Sequence, residues 1–226
     1  MRVSVVIPVY NEEVLIVRCL TALQNQTKKA FEIIVVDNNS TDKTVETAKQ
    51  FPVKVVVEKI QGATPARNTG FNLATGDVIA RIDADTTVPK NWIEEIETHF
   101  TDDSSLIALS GPTVFDNKKF NHLLLVEKPT HVIWKLLFKH DLLYGPNIAI
   151  TKNAWEKVKG LVCLDDTKVH EDFDLAIHLG RLKMGKILFD WNFTVQVSER
   201  RWRQPKSYFE YPYRFLTTIL RHKKLF

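Results

Sequence analysis

With 226 residues and 44% hydrophobic side chains, the chain can bury roughly 70% of the surface its unfolded form exposes, so one substantial core is expected and nothing suggests a second. Its two cysteines, Cys19 and Cys163, are far apart and lack metal-ligand spacing, which argues against a disulfide framework and fits a reducing compartment. The net charge of +4 is lopsided: residues 200–226 hold eight Lys/Arg against one acid, Glu210, which leaves the rest of the chain at −3. Such a tail suits phosphates of a substrate, a nucleic acid or an anionic lipid surface, and charge alone does not choose among them.

In chain order, residues 3–9, 31–36, 53–57 and 78–82 are short β-branched runs of the kind found in strands buried on both faces. Helical patterns lie between them. Their starts are signalled by Asn11 before Glu12 and Glu13, by the Asn39-Ser40-Thr41 cluster, and by Thr64-Pro65. This alternation predicts right-handed βαβ crossovers: an α/β fold with a mainly parallel central sheet flanked by helices. Ligands of such sheets bind beyond the carboxyl ends of the strands, here Val9-Tyr10-Asn11, Asp37-Asn38-Asn39 and Asp83-Ala84-Asp85.

The second half is less regular. A helix is expected after Pro89 through Phe100, then a strand from Leu106 to Ser110. Residues 118–143 suggest two amphipathic helices broken at Pro129, the first carrying Phe120, Leu123 and Leu124. A strand at 147–150, a helix from Glu171 to Met184 ended by Gly185, and strands at 187–189 and 193–197 complete the pattern.

Several strand ends carry chemistry. Asp83 and Asp85 stand two apart where a buried strand surfaces, and on extended backbone they would point the same way. Side by side they repel unless a cation or a proton intervenes, and Mg²⁺ is held by so sparse a carboxylate set together with phosphate oxygens. A loop-capping Asp followed by a helix-capping Asp would give the same letters. Asp37 is a short acceptor suited to a nucleobase imide or a ribose hydroxyl, or to the amides of its own loop. Residues 62–70 offer a helix N-terminus with Arg67 within a turn of it, which favours an anionic or polar ligand. Neither Gly-x-Gly-x-x-Gly after the first strand nor Gly-x-x-x-x-Gly-Lys-Ser/Thr occurs, which disfavours nicotinamide-type binding and P-loop phosphotransfer.

The ordered set Val5-Val6-Ile7-Pro8-Val9-Tyr10-Asn11-Glu12, Val35-Val36-Asp37-Asn38-Asn39-Ser40-Thr41-Asp42, Ala66-Arg67-Asn68-Thr69-Gly70, Asp83-Ala84-Asp85 and Glu171-Asp172-Phe173-Asp174-Leu175 resembles family 2 glycosyltransferases over about residues 3–200. The resemblance implies a GT-A fold, a UDP- or GDP-sugar donor, a divalent metal (Mg²⁺ or Mn²⁺) and transfer with inversion to a saccharide or polyprenol-linked acceptor. It divides the chain into a nucleotide-binding half over about 1–115, an acceptor-binding half over about 116–200, and a tail over 201–226. By position, Pro8, Tyr10 and Glu12 would line the nucleoside pocket and Asp37 would accept from the base. Arg67 would lie near base or diphosphate, Asp83 would contact the ribose, and Asp85 with Asp83 the metal. Asn147 would underlie donor and acceptor, and Arg200 and Arg201 would close over the diphosphate. Asp172 would be the catalytic base with Glu171 beside it toward the acceptor; helix-start capping is the plainer role for that pair. Two departures stand out: Lys152 and His178 occupy positions where the family often has Arg.

The tail mixes cations with Trp202, Tyr208, Tyr211, Tyr213 and Phe215, as segments at an anionic membrane surface do, and a helix packed on the domain with a basic face would read the same way. No recognition motif for nucleic acid accompanies it. With no run near the roughly 20 apolar residues of a membrane span and no signal-like start, a cytoplasmic protein is expected, peripheral on the inner face of the cell membrane if the tail binds lipid. The rival function is an inactive nucleotide-sugar sensor or scaffold, which would have no need of a base.

Overall fold

The computed structural model describes residues 1–115, 127–165, 168–198, 200 and 207–222, the last stretch with side chains from residue 213. Phe120, Leu123, Leu124, Glu199, Arg201 and Trp202, and the side chains of Tyr208 and Tyr211, lie outside the described residues.

The first strands are β1 (Val3–Val9), β2 (Glu32–Asp37), β3 (Lys54–Val57) and β4 (Val78–Arg81). Between them run α1 (Leu15–Gln24), α2 (Thr44–Ala48) and α3 (Ala63–Leu73). β5 (Thr86–Thr87), α4 (Trp92–Asp102), β6 (Leu106–Ser110) and β7 (Thr113–Phe115) follow. The second half supplies α5 (Lys128–Phe138), β8 (Ile148–Thr151), α6 (Lys152–Val158) and α7 (Glu171–Leu182), then β9 (Lys186–Phe189), β10 (Val195–Val197) and α8 (Ser207–His222).

Seven strands form one sheet in the order β3-β2-β1-β4-β8-β6-β9, and β5-β10-β7 form a small second sheet. β3, β2, β1 and β4 are parallel, β8 is antiparallel to both its neighbours, and β6 pairs in parallel with β9. The architecture is therefore the expected α/β sandwich with a mainly parallel sheet, strands from both halves of the chain sharing it.

Alternation along β1 shows how helices come to cover both faces. Val3, Val5, Ile7 and Val9 enter one apolar core with Ile16, Leu20, Trp92 and Ile96 of α1 and α4. Val6 points the other way, into a second core with Phe71, Trp155, Leu175 and Leu179 of α3, α6 and α7. Each such buried side chain contributes about 1.5–3 kcal/mol, so a strand feeding two cores is hard to displace. β3 is the exception, an edge strand with only Val55 and Val56 half-buried.

Element starts and stops shift from the sequence expectation where a distant partner claims the capping group. Asn11 does not cap α1; it adopts φ 54°, and its Oδ1 accepts the Thr41 N–H at 2.8 Å across to the next strand's loop. Pro129 stands in the first turn of α5, where its missing N–H costs nothing, and the helix expected before it falls outside the described residues. α7 ends at Lys183, left-handed at φ 48°, before Gly185 is reached. Gly185 serves a different need: a Cβ there would collide with the Ser105 carbonyl. α8 lies on α7, with Thr218 and His222 buried, the His170 N–H donating to Thr218 Oγ1 at 2.7 Å, and the Phe215 ring edge-on to Phe173.

Candidate active site

Strand order reverses between β1 and β4, the switch point where parallel sheets open a crevice at their carboxyl ends. Tyr10 stands half-exposed where β1 runs out, with Pro8 and Glu12 partly buried on either side of it. The β1 and β2 loops are laced together: Asn11 N–H donates to Ser40 Oγ at 3.0 Å, and Glu12 N–H to Thr44 Oγ1 at 2.7 Å. Asp37 is buried and accepts the Ser40 N–H at 3.2 Å. Asn38 beside it fixes the approach to α3. Its Nδ2 donates to the carbonyls of Glu58 and Ile60, and its Oδ1 accepts from Gln61 Nε2 and the Gly62 N–H.

At the end of β4 the sequence expectation is corrected. Asp83 and Asp85 do not lie on extended backbone; they sit in a turn closed by the Thr86 N–H on the Asp83 carbonyl at 3.0 Å. The charge of Asp83 is met by a residue the sequence reading passed over. Arg81, 4% exposed, holds Asp83 Oδ1 on Nη2 at 2.8 Å, while Nη1 reaches Asp172 Oδ1 at 2.7 Å and Glu171 Oε1 at 2.8 Å. Its one sequence signal is a single cation within an otherwise apolar strand, two residues before an acid.

Glu171 and Asp172 form the first turn of α7 and are 8% and 5% exposed. The Gly145 N–H donates to Asp172 Oδ2 at 2.9 Å, and a Cβ on Gly145 would collide with that carboxylate and with Arg81. Two guanidiniums, Arg67 and Arg81, thus face the three carboxylates of Asp83, Glu171 and Asp172. Burial lowers Arg81, but Glu171, Asp83 and Asp172 outweigh it and hold it well above its usual value. Burial raises Glu171, and Arg81 and Arg67 overcome it to leave Glu171 below the usual carboxylate range. Burial dominates at Asp172 and, with Glu171 and Asp83 repelling its charge against the pull of Arg81, pushes it up to about 7.

Arg67 is fully buried; its Nη1 donates to the Glu171 carbonyl at 3.1 Å and its Nε and Nη2 to Asn68 Oδ1, so it braces the start of α7. Asn147 is fully buried, accepting from Trp92 Nε1 at 3.0 Å and donating to the Phe193 carbonyl at 2.6 Å, a strut between α4 and the segment that leads into β10. Arg200, by contrast, pairs with Glu12 and brings the late segment back to the end of β1. Lys152 caps the C-terminal end of α3 through the Phe71 carbonyl at 3.1 Å.

For a divalent metal, the donor set at the β4 turn is oxygen only, two partly exposed carboxylates, which fits a hard cation that also takes phosphate oxygens. Cys19 lies beneath, its Sγ 3.8 Å from the Asp83 carbonyl, and burial pushes its thiol up.

Residues 4–159 match the family described as Glycosyl transferase family 2. The probable glycosyltransferase YdaM of Bacillus subtilis is 31% identical over 222 residues, covering 89% of this chain and 52% of its own. Two solved structures share the fold. The mannosyltransferase PcManGT of Pyrobaculum calidifontis, in complex with GDP-Man and Mn²⁺, has a TM-score of 0.67 at 23% identity over 86% of this chain and 56% of its own. TarS 1-349 of S. aureus in complex with UDP-GlcNAc has the same TM-score, 0.67, at 20% identity over 88% and 59%. The match spans less than two thirds of the length of each of eight curated relatives, from 15% to 60%. With the crevice at the β1–β4 switch point and the sandwich around it, the match over most of its length establishes that the chain belongs to glycosyl transferase family 2.

Proposed function

We propose that the chain moves a sugar from a nucleoside diphosphate to an acceptor hydroxyl with inversion at the anomeric carbon. One observation carries this reading: the two arms of the Arg81 guanidinium hold Asp83, at the strand-end turn, and Asp172, on the helix facing it, at 2.8 and 2.7 Å. Inverting transfer needs a carboxylate to take the acceptor's proton and positive charge opposite it to receive the leaving diphosphate. Asp172 is the base in this reading, with Glu171 beside it toward the acceptor. Both Asp172 oxygens accept a hydrogen bond, and each keeps a second lone pair for a hydroxyl proton.

Pro8, Tyr10, Glu12 and Asp37 would hold the nucleoside, Asp83 the ribose, and Asp85 with Asp83 a divalent cation. When bound, that cation, Mg²⁺ or Mn²⁺, neutralises charge on the departing diphosphate. The donors named for the two structural neighbours, GDP-Man and UDP-GlcNAc, support a UDP- or GDP-sugar, and the Mn²⁺ of the first supports the metal. The Arg200–Glu12 pair supports a late segment, with Arg201 next to it in sequence, that closes over the donor. The nucleotide half would then be about 1–115 and the acceptor half about 116–200.

For the acceptor we assign a lipid-linked or cell-envelope glycan, met at an anionic membrane surface on its cytoplasmic side. Support lies in α8, whose exposed Tyr213, Leu216 and Leu220 accompany the basic tail. No helix among the described residues is long and apolar enough to cross a membrane, so such binding would be peripheral.

Release of nucleoside diphosphate from UDP- and GDP-sugars, with Mn²⁺, tests the base. Asp172→Asn is expected to cut turnover by about 10²- to 10⁴-fold while leaving nucleotide binding intact. Unchanged turnover contradicts the assignment; turnover absent in both proteins while nucleotide still binds favours the sensor reading.

A further inference from the structure

Farther along α7, three side chains converge in a way the transferase reading does not use. Asp174 and His178 stand one helical turn apart on α7, and His222 ends α8. Asp174 Oδ1 lies 3.2 Å from His222 Nε2 and 3.7 Å from His178 Nε2, and the two imidazole nitrogens are 3.5 Å from each other. Asp174 is 1% and His222 3% exposed.

The supporting bonds fix which atoms face inward. His222 Nδ1 is 2.8 Å from the Thr218 carbonyl, an acceptor only, so Nδ1 carries a proton and donates. In the neutral ring Nε2 then presents a lone pair to the cluster. Asp174 Oδ2 accepts the Cys163 N–H at 2.7 Å, which turns Oδ1 inward. That oxygen is buried and faces both imidazoles, His222 Nε2 being the nearer. One carboxylate oxygen and two imidazole nitrogens therefore meet within 3.7 Å of one another.

We propose that Asp174 Oδ1, His178 Nε2 and His222 Nε2 bind a Zn²⁺-class transition-metal ion that clamps α8 onto α7. The spacing fits. Ligands about 2.0–2.1 Å from a tetrahedral ion are about 3.3–3.5 Å apart, close to the three separations at 3.2, 3.5 and 3.7 Å. Two imidazoles and one carboxylate are a borderline-soft set, unlike the oxygen-only pair at the β4 turn. The Thr218 carbonyl and the Cys163 N–H are the outer partners that orient ligating imidazoles and carboxylates. A cleft of about 430 Å³, lined also by Cys163, Leu164 and Arg221, leads to the cluster and leaves a fourth position to water. The clamp would steady the helix whose first turn carries Glu171 and Asp172, to which α8 is already tied through His170 and Phe173.

Co²⁺ titration of the full chain, stripped with chelator and free of nucleotide, tests this through the visible ligand-field bands of a four- or five-coordinate ion. The expected result is saturation at one equivalent and displacement by Zn²⁺. The partly exposed His178 makes His178→Gln the safer variant, and His222→Gln the second. Each should weaken Co²⁺ by more than the roughly 10- to 100-fold that loss of an outer partner costs, with the fold checked by circular dichroism. Asp85→Asn should keep the bands, which separates this site from the crevice. Absence of bands in the unaltered chain, or bands that persist in both histidine variants, overturns the proposal and leaves a hydrogen-bonded tie between two helices. None of these outcomes depends on glycosyl transfer.

Discussion

Arg81 is the residue on which the site turns. It sits in the β4 run Val78–Arg81, shares four carboxylate contacts with Arg67, and its neighbours Glu171 and Asp172 have little water to replace it. Removing one partner of a buried ionic network costs about 3–5 kcal/mol, because the others are left charged and unpaired. Arg81→Met should therefore lower stability by that order in urea unfolding, with an unchanged midpoint contradicting the role given to it. Asp172 is legible in the sequence as part of a helix-start acid pair, and Asp83 as a strand-end acid. The link between them is not. It runs through Arg81, 91 residues before Asp172, and no local pattern announces a pairing made only when α7 docks on β4. The same holds for Arg67 and Asn147: each sits in a stretch that resembles a ligand-binding segment, and each is claimed by a buried partner that only the packed chain supplies.

At the scale of elements, Asp141 ties α5 to β9. Burial raises its carboxyl, but His131 Nε2 at 3.2 Å, Lys135 Nζ at 2.8 Å and the Phe189 N–H at 3.2 Å hold it well below the usual carboxylate range. A carboxyl depressed in the folded state adds stability above its unfolded value, about pH 3.9, and that stability fades as pH falls toward the folded value. Asp141→Asn should thus cost about 1–3 kcal/mol near pH 7, and the gap from the unaltered chain should narrow below about pH 3. Unfolding curves at several pH values check this, and a gap independent of pH would contradict it. For α8, flotation with anionic liposomes should recover the intact chain and lose it when the chain ends near Arg203; equal recovery would count against lipid contact. Strands and helices of the first half are legible because long β-branched runs leave few alternatives. Boundaries are less so, since Asn11 and Asp42 spend their side chains on the neighbouring loop, Asn11 on the Thr41 N–H and Asp42 on the Glu13 N–H.

For the whole molecule, the parallel pairing of β3-β2-β1-β4 follows from alternation of strand and helix, and the strand order reverses between β1 and β4. The insertion of β8 antiparallel between β4 and β6 is not readable from four residues, Ile148–Thr151, whose run looks the same in either direction. Yet that strand matters, because the turn entering it delivers the Gly145 N–H to Asp172. The central claim is that the carboxyl edge of β1, β2 and β4 binds a nucleoside diphosphate through a divalent cation held by Asp85 and Asp83. Thermal unfolding with UDP or GDP, with and without Mn²⁺, tests it most directly. The account predicts stabilisation that requires both nucleotide and metal, about 2.7 kcal/mol at 100 times the dissociation constant. No shift with either nucleotide in the presence of Mn²⁺ would contradict it.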